Sequence, residues 1–251
     1  MDKESLKEVF RKHVEKYNIE DINIKKKFEH SCRVLDLCLL IAEDNDFNKE
    51  DIELAMLVGL LHDYSRFEQW VRFGVYNDLK SIDHGDLAVE RLFDNGEIVD
   101  YINNKNYYDT IYNAIKYHNK YEFPDNLSDK SKFFCNLVRD ADKLDIFYLF
   151  GIKDFILRED DLEISGKIKK DFFDNKLLSR KDVNNYSDNI LVYLAMAFDL
   201  NFDYSFKYLY DMKLIDKMFD NIVNKDKYRV YFEYINKYIL DRNNKYKVKK
   251  R

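Results

Sequence analysis

An all-α fold is predicted by three features of this 251-residue chain. It holds one Pro and six Gly, far below the usual usage of about 5% and about 7%, which excludes collagen-like, Pro-rich and turn-dense β-sandwich architectures. Apolar residues recur at three- and four-residue spacing along most of its length. Hydrophobic residues make up 46% of the chain, enough apolar surface for a substantial core.

The elements follow in order. Ser5 and Glu8 have the form of a capping box, and Leu6, Val9, Phe10, His13, Val14 and Tyr17 continue at helical spacing. A second helix is expected near Ile24, with Phe28, Val34, Leu37, Cys38 and Ile41 on its stripe, and a third after Asn48, with Leu54, Leu57, Val58 and Leu61. Asp83 is placed to cap a helix carrying Leu87, Ala88, Leu92 and Phe93 that stops at Gly96. Another contains Ile111, Ala114 and Ile115 and ends before the lone Pro124. A long helix over 132–150 ends at Gly151, with Phe133, Phe134, Leu137, Val138, Ala141, Leu144, Tyr148 and Leu149 on one broad side. Three further helices are expected over 190–200, 204–219 and 228–240, and the basic end NNKYKVKKR reads as a frayed, solvated tail. With no linker or repeat between the halves, 1–150 is expected to form one helical domain and 151–251 a helical extension packed on it.

The charge balance is 42 Lys and Arg against 47 Asp and Glu, a net −5. That offers no general attraction to nucleic acid or an anionic membrane. Cys32, Cys38 and Cys135 form no CxxC pair and are odd in number, so they read as reduced thiols rather than a disulfide framework. No apolar signal core opens the chain and no run of about 18 apolar residues occurs in it, so a cytoplasmic location without membrane insertion is expected. The 20 Tyr and 19 Phe are read mainly as core filling.

Five histidines carry more information by position than by number. His13 reads as an ordinary core residue. His30 shares its stripe with Val34 and Leu37, His62 follows Val58 at i+4, His84 opens the stripe of Leu87 and Ala88, and His118 follows Ala114 at i+4. Four helices each directing an imidazole inward is costly, at about 1–3 kcal/mol per unpaired buried polar group, unless something shared satisfies the rings. A metal would do so. Asp63, adjacent to His62, and Asp142, which follows Val138 at i+4 in VRDADKLD, add carboxylates to the same side. Neighbouring helical side chains diverge by about 100°, so His62 and Asp63 are expected to meet a common point only across a groove between helices, which suits two ions bridged by a carboxylate.

The ordered set His30, His62-Asp63, His84, His118, Asp142, in the blocks LLHDYSRFEQ, IDHGDLAVERLF, AIKYHNKYEFP and LVRDADKLD, resembles the HD-domain metal-dependent phosphohydrolase superfamily in its H…HD…H…H…D form. The resemblance spans about 24–150. It implies an all-α HD bundle in which His30, His62, Asp63 and Asp142 bind one ion, while His84 and His118 hold a second with Asp63 bridging. Imidazole and carboxylate without thiolate suit Fe or Mn first, with Co, Ni, Zn and Mg as alternatives. The activity expected is attack of a metal-activated water on the phosphorus of a small phosphorylated substrate such as a nucleotide. Arg66 is a candidate for binding two phosphate oxygens, with Lys120 and Lys143 as weaker clamps. Relatives with the same ligands include mixed-valence di-iron oxygenases, so an oxygenase is the alternative activity and a non-catalytic nucleotide-sensing module the second.

Overall fold

Helix caps set where the chain turns in the computed structural model, which describes residues 2–152 and 157–250. Residue 1 of the expected domain and residues 153–156 and 251 of the expected extension lie outside the described residues. No strand occurs among those described, and the helices divide into two compact units, 1–142 and 143–251.

In the first unit, α1 is Lys3–Val14, and Asp2 rather than Ser5 caps it. The Asp2 carboxylate accepts from the Ser5 backbone N–H at 2.9 Å and from its hydroxyl at 2.8 Å. The expected capping box therefore shifts one turn forward, because a carboxylate ahead of the serine takes the orphan donors first. Asp21 caps α2, Ile22–Asp44, and Asn48 caps α3, Lys49–Leu61. These two helices touch closely: a Cβ on Gly59 would lie 2.7 Å from Cys38 Sγ and 3.1 Å from Leu35 Cα. A short helix that the sequence pattern did not announce, α4 at Arg66–Phe73, ends on Gly74 in the left-handed region at φ 66°.

Asp83 caps α5, His84–Val89, which continues as a π-helical turn over Glu90–Asp94 and stops at Gly96, φ 78°. Then come α6, Tyr108–Tyr117, and α7, Asp129–Phe150. Phe10, Val14, Ile24, Val34, Ile41 and Leu60 are fully buried, and each such side chain contributes roughly 1.5–3 kcal/mol to the unit. On α7 the expected stripe holds through Leu144 and then departs. Phe147 is buried whereas Tyr148 is exposed, because steps of three from Leu144 to Phe147 and Phe150 carry the stripe back around the helix.

The second unit holds α8 (Gly166–Phe173), α9 (Tyr186–Ala195), α10 (Asp203–Asp211), α11 (Leu214–Asp220) and α12 (Lys225–Lys249). The sequence pattern did not announce α8. The last turn of the expected 190–200 helix is instead a 3-10 turn, Met196–Asp199. The expected 204–219 helix is broken at Lys213, which adopts φ 52° and separates α10 from α11. The basic end is not a frayed tail: α12 continues to Lys249 and buries Asn243 and Tyr246 on the face that also carries Ile235 and Ile239. Phe172, Phe173, Phe198, Tyr231 and Tyr234 interlock in this unit, with Phe172 5.3 Å from Phe198 and 5.5 Å from Tyr231 between ring centroids. Phe172 and Tyr231 are buried in the core, while Phe173 lies at its exposed edge.

Candidate metal centre

Five helices and one turn bring the sequence-predicted residues of the first unit together. His30 lies within α2, His62 at the C-terminal end of α3, His84 at the first position of α5, His118 just past α6 and Asp142 on α7. The expected groove between helices is not what lets His62 and Asp63 converge. Asp63 already belongs to the turn that ends α3, closed by Tyr64 N–H to Leu61 O at 3.0 Å and Arg66 N–H to Asp63 O at 3.0 Å. Leaving the helix at His62 frees Asp63 from the 100° rotation that separates helical neighbours. Gly85 has a matching role, because a Cβ there would sit 2.8 Å from Lys116 O. Its absence lets the start of α5 approach the end of α6, and so His84 approach His118.

Asp63 stands at the centre, 3% exposed, and its two oxygens face different pairs of imidazoles. Oδ2 lies 3.4 Å from Nε2 of His30 and 3.4 Å from Nε2 of His62. Oδ1 lies 3.4 Å from Nε2 of His84 and 4.0 Å from Nε2 of His118. Within the pairs, the Nε2 atoms of His30 and His62 are 3.2 Å apart and those of His84 and His118 2.9 Å. Asp142 Oδ1 adds a carboxylate to the first pair, 3.2 Å from His30 and 3.9 Å from His62. Each set of three, His30 with His62 and Asp63 or Asp63 with His84 and His118, keeps its donor atoms within 4.8 Å of one another.

The opposite ring nitrogens fix the tautomers. Nδ1 of His62 donates to Gly59 O at 2.7 Å, Nδ1 of His118 to Ile115 O at 2.7 Å, and Nδ1 of His84 to Asp78 Oδ2 at 2.6 Å. Their Nε2 lone pairs therefore point inward, and facing lone pairs repel unless a cation lies between them. Two bonds of about 2.1 Å separate their donor atoms by about 3.0 Å at a right angle and about 3.4 Å at a tetrahedral one. The spacings of 2.9–3.4 Å around Asp63 fall at these values, with the His118 contact wider at 4.0 Å, so the residues fit a metal.

Electrostatics point the same way. Burial works to raise the Asp63 carboxyl, but the Lys27 and Arg66 charges and the hydrogen-bonding imidazoles beside it outweigh it and hold the group well below the ordinary carboxylate range. Asp142 is also held low, as His30 and His62 overcome its desolvation. Burial lowers His84, with Arg66 adding to the effect against the pull of Asp78 and Asp63. Burial, then His84 and His62, hold His118 well below the ordinary imidazole value. Ionised carboxylates and neutral imidazoles are the forms that ligate metals.

The remaining candidates sit as follows. Arg66 donates through Nε to Asp63 Oδ1 at 3.2 Å and through Nη1 to Gln69 Oε1 at 2.6 Å, Tyr76 O at 2.8 Å and Asp78 Oδ1 at 2.9 Å. Lys120 pairs with Asp83 at 2.5 Å and Asp86 at 3.2 Å. Lys143, in the second unit, pairs with Asp199 at 2.7 Å. His13 lies in the core, stacked on the Tyr64 ring at 3.8 Å between centroids. Sequence reasoning missed Lys27, 2.5 Å from Asp63 Oδ2, and Asp78 behind His84. Lys27 had a signal, standing three residues before His30 on one helix face; Asp78, in a 3-10 turn, had none.

A family model described as HD domain matches residues 28–146. Residues 28–146 therefore form an HD domain. Comparison with curated proteins and with solved structures found no match. HD domains are all-α and mostly metal-dependent hydrolases, and the His and Asp clusters of this HD domain are able to bind metal. Among the described residues no helix is long and apolar enough to cross a membrane.

Proposed function

We propose that the HD domain is a metal-dependent phosphohydrolase that cleaves a phosphoester of a nucleotide or another small phosphorylated metabolite. One observation carries the reading: Asp63 turns one oxygen to His30 and His62 and the other to His84 and His118, the arrangement of a carboxylate shared by two ions. Asp142 would complete the first position. Divalent ions, iron or manganese by preference, would be held by these residues and would supply an acidified water and charge neutralisation at the phosphoryl group. The protein's own part is to hold the ligands. Gly59 O, Ile115 O and Asp78 orient three of the imidazoles, and Arg66 orients Asp63 through Nε. Its hydrogen bonds among the described residues use Nε and Nη1, so Nη2 is the atom we assign to a substrate oxygen. Lys120 and Lys143 are paired with aspartates, so we assign the main phosphate contact to Arg66.

The test is metal analysis of the purified protein followed by a phosphate-release screen over nucleotides, dinucleotides and phosphomonoesters, in air and under argon. Metal-dependent release that persists under argon supports the hydrolase. Turnover that requires oxygen transfers the centre to the oxygenase reading, and a metal-loaded protein that binds nucleotide without turnover transfers it to sensing.

A further inference from the structure

Lys27 stands one helical turn before His30 on α2, so both side chains leave the same face. Its ammonium is 2.5 Å from Asp63 Oδ2, the oxygen that faces His30 and His62. A cation held by that triad takes the same oxygen, so the ion and the ammonium exclude one another. Asp63 is the one acceptor this ammonium has among the described residues; it otherwise faces the Tyr76 ring at 5.6 Å. The Lys27 side chain is 21% exposed, against 3% for Asp63, so the ammonium is the more solvent-accessible of the two. Four single bonds allow it to swing, whereas the Arg66 guanidinium is pinned by two carboxylates, an amide and a carbonyl. A largely covered ammonium that loses its carboxylate needs another anion within reach.

We propose that Lys27 is a substrate-binding residue released by metal loading: it neutralises Asp63 until an ion takes that oxygen, and then binds a phosphoryl oxygen of the substrate. The idea rests on the metal-centre reading above and adds the residue that couples ion binding to anion binding. Lys27 should therefore oppose the metal and favour the anion, two effects of opposite sign that a merely structural lysine does not give.

The experiment titrates the full chain with Mn²⁺ alone by equilibrium dialysis, and then titrates the Mn²⁺-loaded protein with inorganic phosphate, for the native protein, Lys27→Met and Lys27→Arg, with circular dichroism melting as the fold control. Lys27→Met is expected to bind Mn²⁺ three- to tenfold more tightly and phosphate at least tenfold more weakly. Lys27→Arg should return phosphate affinity to within about threefold of native. Native-like phosphate binding by Lys27→Met, or weaker Mn²⁺ binding by a folded Lys27→Met, overturns the role of Lys27 alone. Should Lys27→Met not fold, Lys27→Arg decides, because an arginine that folds but fails to bind phosphate also overturns it. A native protein that takes up no Mn²⁺ and no other divalent ion overturns the metal-centre reading and this proposal with it.

Discussion

The two halves of the centre share Asp63 and each has two buried imidazoles, but they differ in their remaining carboxylates. The half on Oδ2 has His30, His62 and a second carboxylate, Asp142, that is 27% exposed. The half on Oδ1 has His84 and His118, both buried, with Asp78 behind His84. Two carboxylates neutralise a dication better than one, so the first half should hold its ion more tightly, and the second should depend more on how well its imidazoles are oriented. On the proposed reading, one bridging residue would serve a strong position and a weak one.

The largest effect is expected from Asp63→Asn, which removes the shared ligand. Metal content by plasma mass spectrometry should fall from two ions to none and phosphate release should vanish. The change also strands Lys27 and Arg66, and stability without metal should drop by about 3–5 kcal/mol, the cost of breaking a buried ion pair. Retention of one ion would show that the halves are independent rather than bridged.

His118→Ala should affect only the weaker half, leaving one ion after dialysis where the native protein keeps two; two retained ions would remove His118 from the ligand set. Asp78→Asn should be milder still, because it disturbs the orientation of His84 and not the ligand. Isothermal titration is expected to show the second binding step weakened 10- to 100-fold with the first unchanged, and equal weakening of both steps would mean that Asp78 acts through Arg66 instead.

The fifth histidine supplies the control. Burial pushes His13 down to about 4, so the unfolded chain takes up a proton near 6.5 that the native chain resists until about 4. The unfolded state binds more protons in that window, so this contribution to stability is complete above pH 6.5 and is lost as pH falls toward 4, by about 3 kcal/mol in all. His13→Phe should flatten that part of the stability curve, followed by urea unfolding at pH 7, 5.5 and 4, without changing metal content. A lowered metal content would place His13 in the support of the centre.

Helical class, the stripes of α2 and α3 and the order of the ligands are legible in the sequence because periodicity and residue type are local properties. Asp83 was readable as a cap for the same reason. The short helices α4 and α8 were not, since eight residues give too few turns for a period to show. The break at Lys213 carries no Gly or Pro to announce it, and α12 runs on through a lysine-rich end where Asn243 and Tyr246 continue its buried face.

By itself the sequence determined that this is an all-α chain with four histidines and two aspartates in an order that fits a metal. Only the tertiary structure decided how they meet: that Asp63 lies in a turn rather than a helix and divides its oxygens between two imidazole pairs, and that Lys27 and Arg66 come to it from either side. The physical reason is that a ligand's type is written in one residue, whereas a distance of 3 Å between residues far apart in the chain depends on every helix end and packed contact between them.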